Sequence, residues 1–149
     1  MAIVTAQTFE TVFDEHGDGV FAYLLLRTSR ENAEDLLSET FLLFWRKYGG
    51  HRMPEEPLPF LLAIARRLLA NQRRSDARRS ALTERIAREP APAHEGVPGE
   101  SPASNGVLEA LAQLSEPDRE VLLLDAWEQL SGPEAARVLG CREGTYRQR

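Results

Sequence analysis

The sequence predicts an all-α protein built from two small helical domains that a linker joins. Apolar residues recur at helical spacing in several segments, and no segment shows the alternation of a β-strand. Residues 89–106 contain four prolines and three glycines and no large aromatic residue, so they cannot bury enough surface to order themselves. We therefore expect domains over residues 1–88 and 107–149, with residues 89–106 as a flexible linker.

Two helices are predicted in the first half of the first domain. Apolar spacing favours a helix over residues 9–29, which the segment from His16 to Gly19 is expected to break in two. A second helix is predicted over residues 33–48, with Asn32 as its N-cap and the Gly49-Gly50 pair at its end.

The third predicted helix carries arginine along one face. It follows a loop over residues 49–59, where three prolines and two glycines disfavour regular structure, and it runs from residue 59 to about 80. Apolar residues occupy one side of this helix, and the opposite side carries Arg66, Arg67, Arg73 and Arg74. The chain has a net charge of −5, yet eight of its 18 basic residues lie within 59–88. A basic face in an acidic chain indicates a nucleic-acid contact, and a solvated charged surface is the alternative.

The second domain is predicted to end in a helix–turn–helix. A helix carrying Leu108, Leu111 and Leu114 precedes a capping-box-like start at Ser115, and the capping box of Ser131 and Glu134 opens a later short helix. The final helix is expected to start near Glu143.

Three residues at characteristic positions support this motif. Ala136 would allow close crossing of the two helices, Gly140 would supply a turn with positive φ, and Tyr146 would pack the second helix on the first. The exposed side of the last helix could reach major-groove base edges, although a plain helical hairpin with surface arginines has the same pattern.

The helix over residues 33–48 also has polar and aromatic residues off its main apolar stripe, namely Asp35, Glu39, Trp45 and Arg46. Trp45 could pack at the edge of the core. Alternatively, these residues could form a protein-docking surface, because Trp and Arg are frequent anchors of interfaces.

Several classes of function are not expected. Cys141 is the only cysteine, which excludes an internal disulfide, and the three histidines show no zinc-ligand spacing. No Gly-rich phosphate loop or pair of catalytic carboxylates is visible, so we predict a protein that is not an enzyme and has no catalytic residue, metal or cofactor. The absence of a signal peptide and of a long apolar run predicts a cytoplasmic location.

Three stretches together resemble the extracytoplasmic-function (ECF) sigma factors of the sigma-70 family. Residues 32–46 resemble the polymerase-docking helix of sigma domain 2, and residues 60–71 resemble its promoter-melting helix. Residues 114–128 and 130–149 resemble sigma domain 4, including a Gly144-Thr145 step at the start of the recognition helix. The resemblance implies an alternative sigma factor that binds core RNA polymerase, recognises the −10 and −35 promoter elements and promotes DNA melting.

The resemblance also implies roles for individual residues. The residues implied to dock on core polymerase are Asp35, Leu36, Ser38, Glu39, Leu42, Trp45 and Arg46. Those implied to bind −10 DNA are His51, Arg52 and Met53, in a loop that receives a flipped base, and Arg66, Arg67, Asn71, Arg73 and Arg74, which hold the non-template strand. Those implied to read the −35 element are Arg142, Glu143, Thr145, Tyr146, Arg147 and Arg149.

The implied partners are core RNA polymerase (through its β′ clamp helices and β flap), promoter DNA and an anti-sigma factor. The chain departs from the family pattern at Ser38, Phe60, Arg67 and Asn71, where the family usually has Gln, Trp, Asn and Asp. The changes at Arg67 and Asn71 make the DNA face more positive. The family's recognition helix normally continues further than Arg149, so we expect a truncated −35-reading surface.

Two alternatives stay open. A sigma mimic that sequesters an anti-sigma factor would not need the arginine face, which this chain has enriched. A simple helix–turn–helix repressor would leave the helix over residues 33–48 and the loop after it without a role.

Overall fold

The computed structural model describes residues 3–83, 110–111 and 113–148. The chain divides into two compact units, Met1–Glu95 and Gly96–Arg149. Every regular element in the described ranges is a helix, apart from two isolated backbone bridges, so the predicted all-α class is confirmed. The predicted linker over residues 89–106 lies outside the described residues.

The first unit contains three helices that pack on one another: α1 (Ala6–Leu25), α2 (Arg30–Tyr48) and α3 (Pro57–Thr83). Each helix contributes an apolar stripe to one core, and each large apolar side chain buried there stabilises the fold by about 1.5–3 kcal/mol. The largest fully buried side chains of these helices are Tyr23, Leu24, Phe44, Leu61 and Leu62.

Helix α1 is continuous, so the predicted break between His16 and Gly19 is wrong. A glycine inside a helix costs only about 1 kcal/mol relative to alanine, and the burial of Val12, Val20 and Leu24 on either side offsets that cost.

Two further helix starts differ from the prediction. Ser29, rather than Asn32, caps α2, because the Ser29 hydroxyl accepts a hydrogen bond from the Asn32 N–H at 3.3 Å. Helix α3 begins at Pro57. Proline is tolerated in the first turn of a helix, because the backbone N–H that it lacks would have no partner within the helix there. The α2–α3 loop therefore covers residues 49–56.

A buried arginine fixes the turn between α1 and α2. Arg27 donates from Nη1 to the carbonyl of Tyr23 at 2.7 Å, and its guanidinium carbon lies 3.5 Å from the centroid of the Tyr23 ring. The hydrogen bond and the cation–π contact satisfy a charge that burial would otherwise make costly.

The second unit contains α4 (Glu116–Leu122), which continues as a π-helical turn over Leu123–Trp127, then α5 (Gly132–Leu139) and α6 (Glu143–Arg147). Ser115 caps α4 as predicted, accepting from the Asp118 N–H at 3.4 Å. The helix predicted around Leu108 lies largely outside the described residues. Ala110 and Leu111, which are described, are helical. Within the described ranges, no helix combines the length and apolar character needed to cross a membrane.

Candidate protein-docking and nucleic-acid surfaces

Helix α2 presents most of the residues predicted to dock on a partner. Six are exposed on the free unit: Asp35, Ser38, Glu39, Leu42, Trp45 and Arg46. Leu36 is only 5% exposed and packs in the core, which corrects its assignment to the contact surface. Its position on the apolar stripe means that it supports this surface from the inside.

Aromatic contacts orient the Trp45 ring at the edge of the core. The ring of Phe9 lies edge-on to Trp45 at a centroid distance of 5.3 Å and to Phe41 at 6.1 Å. Trp45 is nevertheless 37% exposed and Leu42 is 46% exposed, so both present large apolar side chains to solvent. Core packing and docking are therefore compatible roles for Trp45, because one part of the ring is buried and another faces solvent.

A glycine after α2 allows this position of the tryptophan. A Cβ on Gly49 would lie 2.6 Å from the Trp45 carbonyl oxygen and 3.2 Å from its ring. Both distances are too short for an unshifted side chain, so only glycine fits here without rearrangement.

The N-terminal residues hold the α2–α3 loop, a feature that the sequence reasoning missed. The Val4 N–H donates to the His51 carbonyl at 2.8 Å, and the Gly50 N–H donates to the Val4 carbonyl at 2.8 Å. Gly50 has φ +76°, a left-handed conformation that favours glycine. The predicted base-binding residues of this loop are placed differently, with His51 and Arg52 exposed and Met53 half-buried. Val4 is the one signal in the sequence, an apolar residue directly before the α1 cap.

The arginine face of α3 is open to solvent for most of its length. Arg67, Asn71, Arg73 and Arg74 are exposed and Arg66 is half-buried. Arg78 and Arg79, which the sequence reasoning left without a role, are exposed further along the same helix.

Two arginines of this face differ in their surroundings. Arg74 donates from Nη2 to the Asn71 side-chain oxygen at 2.5 Å, a contact between two exposed residues. Arg73 donates from Nη2 to the backbone carbonyl of Arg27 at 3.2 Å, in the turn between α1 and α2. Arg73 thus ties α3 to the turn between α1 and α2, whereas the Arg74 bond lies within α3.

The helix–turn–helix has the predicted geometry. The Ser131 N–H donates to the Glu134 carboxylate at 2.7 Å and the Glu134 N–H donates to Ser131 Oγ at 3.4 Å, which completes the capping box. Ala136 is buried at the crossing, and Gly140 has φ +66° in the turn.

Tyr146 packs inside the second unit and is 7% exposed. This burial corrects its assignment to the −35-reading surface and confirms the packing role predicted for it. Burial raises the pKa of the Tyr146 hydroxyl, and the negative charge of Asp125 adds to the rise.

The exposed side of α6 carries the other residues predicted to read DNA. Arg142, Thr145 and Arg147 are exposed, and Glu143 forms an ion pair with Arg147. A Cβ on Gly132 would lie 3.3 Å from Glu143 Oε1, so this glycine lets the pair approach the start of α5. Arg149 lies outside the described residues.

The described residues include no group of three or more His, Cys, Asp or Glu side chains that could hold a metal ion. Cys141 is a free, partly exposed thiol in the helix–turn–helix.

Comparison with known proteins identifies the family. Sigma-70 region 2 matches residues 12–79 and Sigma-70 region 4 matches residues 104–149. The chain is also 32% identical over 151 residues to the ECF RNA polymerase sigma factor BldN of Streptomyces coelicolor. This chain belongs to the ECF group of the sigma-70 family.

Two other proteins extend the comparison. The ECF RNA polymerase sigma factor SigL of Mycobacterium tuberculosis is 28% identical over 155 residues, which cover 99% of this chain and 85% of SigL. The BldN match covers 95% of this chain but only 56% of BldN, so the chain spans little more than half of that relative. The sigma factor RpoE of Bartonella quintana, solved with the anti-sigma factor NepR, shares the fold with a TM-score of 0.75, 24% identity and coverage of 96% of this chain and 89% of RpoE.

The sigma-70 matches divide between the two units. Most of α1, all of α2 and most of α3 fall within the region 2 match, and α4 to α6 fall within the region 4 match. The paired residues Ile3 and Val4 precede the start of the region 2 match at residue 12.

Proposed function

We propose that this sigma-70 family chain docks on core RNA polymerase through the exposed face of α2 and holds the non-template strand of the −10 element on α3. One observation carries the proposal. In a single small unit, an apolar and acidic face and an arginine face are both open to solvent around one core, and the α2–α3 loop connects them.

The α2 face has the composition of a protein interface. Leu42 and Trp45 supply exposed apolar area, and Asp35 and Glu39 supply negative charge beside it. An aromatic anchor with a charged rim is typical of residues that dominate binding energy. The β′ clamp helices of polymerase are the partner that family membership implies, and a basic surface would complement the two carboxylates.

The arginine face of α3 has the chemistry needed to hold a single strand. Melting breaks no covalent bond, so the protein has only to stabilise the opened strand and its unstacked bases. A guanidinium pairs with phosphate through a planar fork and can also stack on a base. Extruding a base costs a few kcal/mol, which contacts from the adjacent loop residues His51, Arg52 and Met53 would offset.

The helix–turn–helix supplies a second DNA contact. Exposed Arg142 caps α6 and exposed Thr145 lies within it, and their side chains could reach base edges of the −35 element in the major groove. Two moderate contacts made by one chain reinforce each other, because binding of the first raises the effective concentration of the second.

The α2 face would also suit an anti-sigma factor. A protein that covered Leu42 and Trp45 would remove apolar area from water and would block polymerase from the same residues. Competition between core polymerase and such a factor for one face would regulate the chain without any change in its fold.

The alternatives predict different surfaces. A sigma mimic would need the α2 face but no strand-binding face, and the exposed arginines of α3 therefore favour a sigma factor. A simple repressor would need the helix–turn–helix alone, and exposed Trp45 and Leu42 would then have no role.

Abortive transcription tests the proposal directly. The chain is added to bacterial core RNA polymerase on a library of promoters with varied −35 and −10 spacing, and short transcripts are counted. We expect promoter-dependent initiation only when the chain is present. No initiation on any member of the library would overturn the proposal.

Separate variants distinguish the two faces of the first unit. Leu42→Ala with Trp45→Ala should abolish binding to core polymerase, whereas Arg67→Glu with Arg74→Glu should retain core binding and lose open-complex formation. Arg30→Glu is the matched charge control, because Arg30 is an exposed arginine that pairs with Glu34 on α2. Loss of core binding in the double variant Arg67→Glu with Arg74→Glu would show that the two faces have been assigned wrongly.

A further inference from the structure

Two hydrogen bonds join the N-terminal segment to the α2–α3 loop. Val4 donates to His51 and accepts from Gly50, each at 2.8 Å. The Val4 side chain is 1% exposed, so its burial fixes the segment on the fold while its backbone fixes the loop. The position of His51 and Arg52 therefore depends on residues that precede α1.

The same segment is held on its other side by the α1 cap. The Thr8 hydroxyl donates to the Ile3 carbonyl at 3.2 Å, and the Thr5 N–H donates to Thr8 Oγ1 at 2.6 Å. Residues 3–5 are thus bonded both to α1 and to the loop, which leaves the Ile3 backbone little freedom.

The side chain of Ile3 faces solvent beside Arg52. Ile3 is 56% exposed, although the segment that carries it is held by backbone hydrogen bonds. Ile3 and Arg52 form an antiparallel bridge, and directly opposite residues in such a pair place their Cβ atoms about 5 Å apart on the same face. The side chains of Ile3 and of exposed Arg52 therefore leave the backbone next to each other on the outer face of the loop.

We propose that Ile3 and Arg52 together form a contact surface for an unpaired DNA base, with Ile3 as the apolar part. Isoleucine is one of the residues that proteins insert against unstacked base steps, and a guanidinium plane can stack on a base. The proposal rests on the proposed function of the loop and adds to it a residue that lies before the region 2 match.

Comparison of two single strands of equal length tests this role in the polymerase holoenzyme. One labelled strand is a random-sequence DNA pool, and the other is an abasic strand with the same number of phosphates. The ratio of the two Kd values measures contact with bases, because the phosphate contribution is common to both. We take this ratio as the Kd for the abasic strand divided by the Kd for the base-containing strand. Ile3→Ser should reduce it about fivefold, since roughly half of the Ile3 side chain is available to the contact and would be lost.

Four further measurements separate base contact from other effects. Ile3→Leu should retain the ratio, and the salt dependence of strand binding should be the same in all variants, because no charge changes. Leu122→Ser is the matched control, as Leu122 is an exposed leucine in the second unit, and it should leave the ratio unchanged. Thermal unfolding of Ile3→Ser should match that of the unaltered chain.

The results distinguish failure of this proposal from failure of the proposed function. If Ile3→Ser weakens binding to both strands equally, or leaves the ratio unchanged, Ile3 does not contact a base. If the unaltered holoenzyme itself fails to prefer the base-containing strand, the base-binding role proposed for the α2–α3 loop is overturned as well. If it binds neither strand, the proposed strand-holding function is overturned.

Discussion

Arg73 and Arg74 are adjacent in sequence, yet the structure predicts opposite consequences for their replacement by methionine, which keeps the apolar stem. Arg73 Nη2 lies 3.2 Å from the Arg27 carbonyl in the α1–α2 turn, and a hydrogen bond from a charged donor contributes about 1.5–3 kcal/mol. Solvent screening at this exposed residue reduces the contribution to below that range, so Arg73→Met should cost about 1 kcal/mol of unfolding free energy. Arg74 donates to exposed Asn71, and Arg74→Met should change stability by less than about 0.5 kcal/mol.

Strand binding should show the reverse order. Each lost phosphate contact lowers the salt dependence of single-strand affinity by about 0.7 in the slope of log K against log salt. We expect this loss for Arg74→Met and a smaller one for Arg73→Met, because the Arg73 guanidinium already bonds to the protein.

Thermal unfolding by circular dichroism and a salt titration of single-strand binding by the holoenzyme measure the two effects. For a unit of this size, 1 kcal/mol corresponds to a shift in Tm of about 4–8 °C. If Arg73→Met melts at the original temperature and loses as much salt dependence as Arg74→Met, the separation of their roles is refuted.

Five other substitutions, at four positions, test how the fold and the α2 face are held. Tyr146→Ala should lower the unfolding free energy by about 3 kcal/mol through a core gap, whereas Tyr146→Phe should match the unaltered chain at pH 7. Burial raises the pKa of Tyr146 above 10.0, so at high pH the folded chain keeps the hydroxyl proton that the unfolded chain loses. Stability should therefore fall as the pH rises above 10.0, and Tyr146→Phe should lack that loss. Gln129 has φ +53°, and Gln129→Gly should stabilise by about 0.5 kcal/mol, whereas Gly140→Ala at φ +66° should destabilise by about 1 kcal/mol in urea titrations. Gly49→Ala should displace Trp45 and weaken core-polymerase binding, because the new Cβ would meet the Trp45 carbonyl oxygen at 2.6 Å.

Each of these has a contrary outcome. An identical loss of stability above pH 10.0 in Tyr146→Phe would assign that titration to another group. Stabilisation by Gly140→Ala would show that its left-handed backbone is not what requires glycine. Unchanged polymerase affinity in Gly49→Ala would mean either that the turn adjusts freely or that Trp45 is not an anchor.

The sequence was sufficient for those features that depend on local periodicity and local chemistry. Helical spacing predicted the all-α class, and Ser131, Glu134, Gly140 and Tyr146 predicted the helix–turn–helix, because a capping box and a left-handed turn depend on residues only a few positions apart. The arginine face of α3 was visible for the same reason. The break predicted at His16 failed because local glycine propensity is weaker than the burial of the residues around it.

Tertiary packing decided which residues of each helix are available to a partner. Leu36 and Leu42 occur on the same helix with the same chemistry, but only Leu42 is exposed, because the position of α1 and α3 determines which side of α2 is covered. The pairing of Val4 with the α2–α3 loop was equally hidden, since it joins residues more than 40 positions apart through backbone atoms that carry no sequence signal. Periodicity describes one element at a time, whereas burial and backbone pairing depend on where the other elements lie.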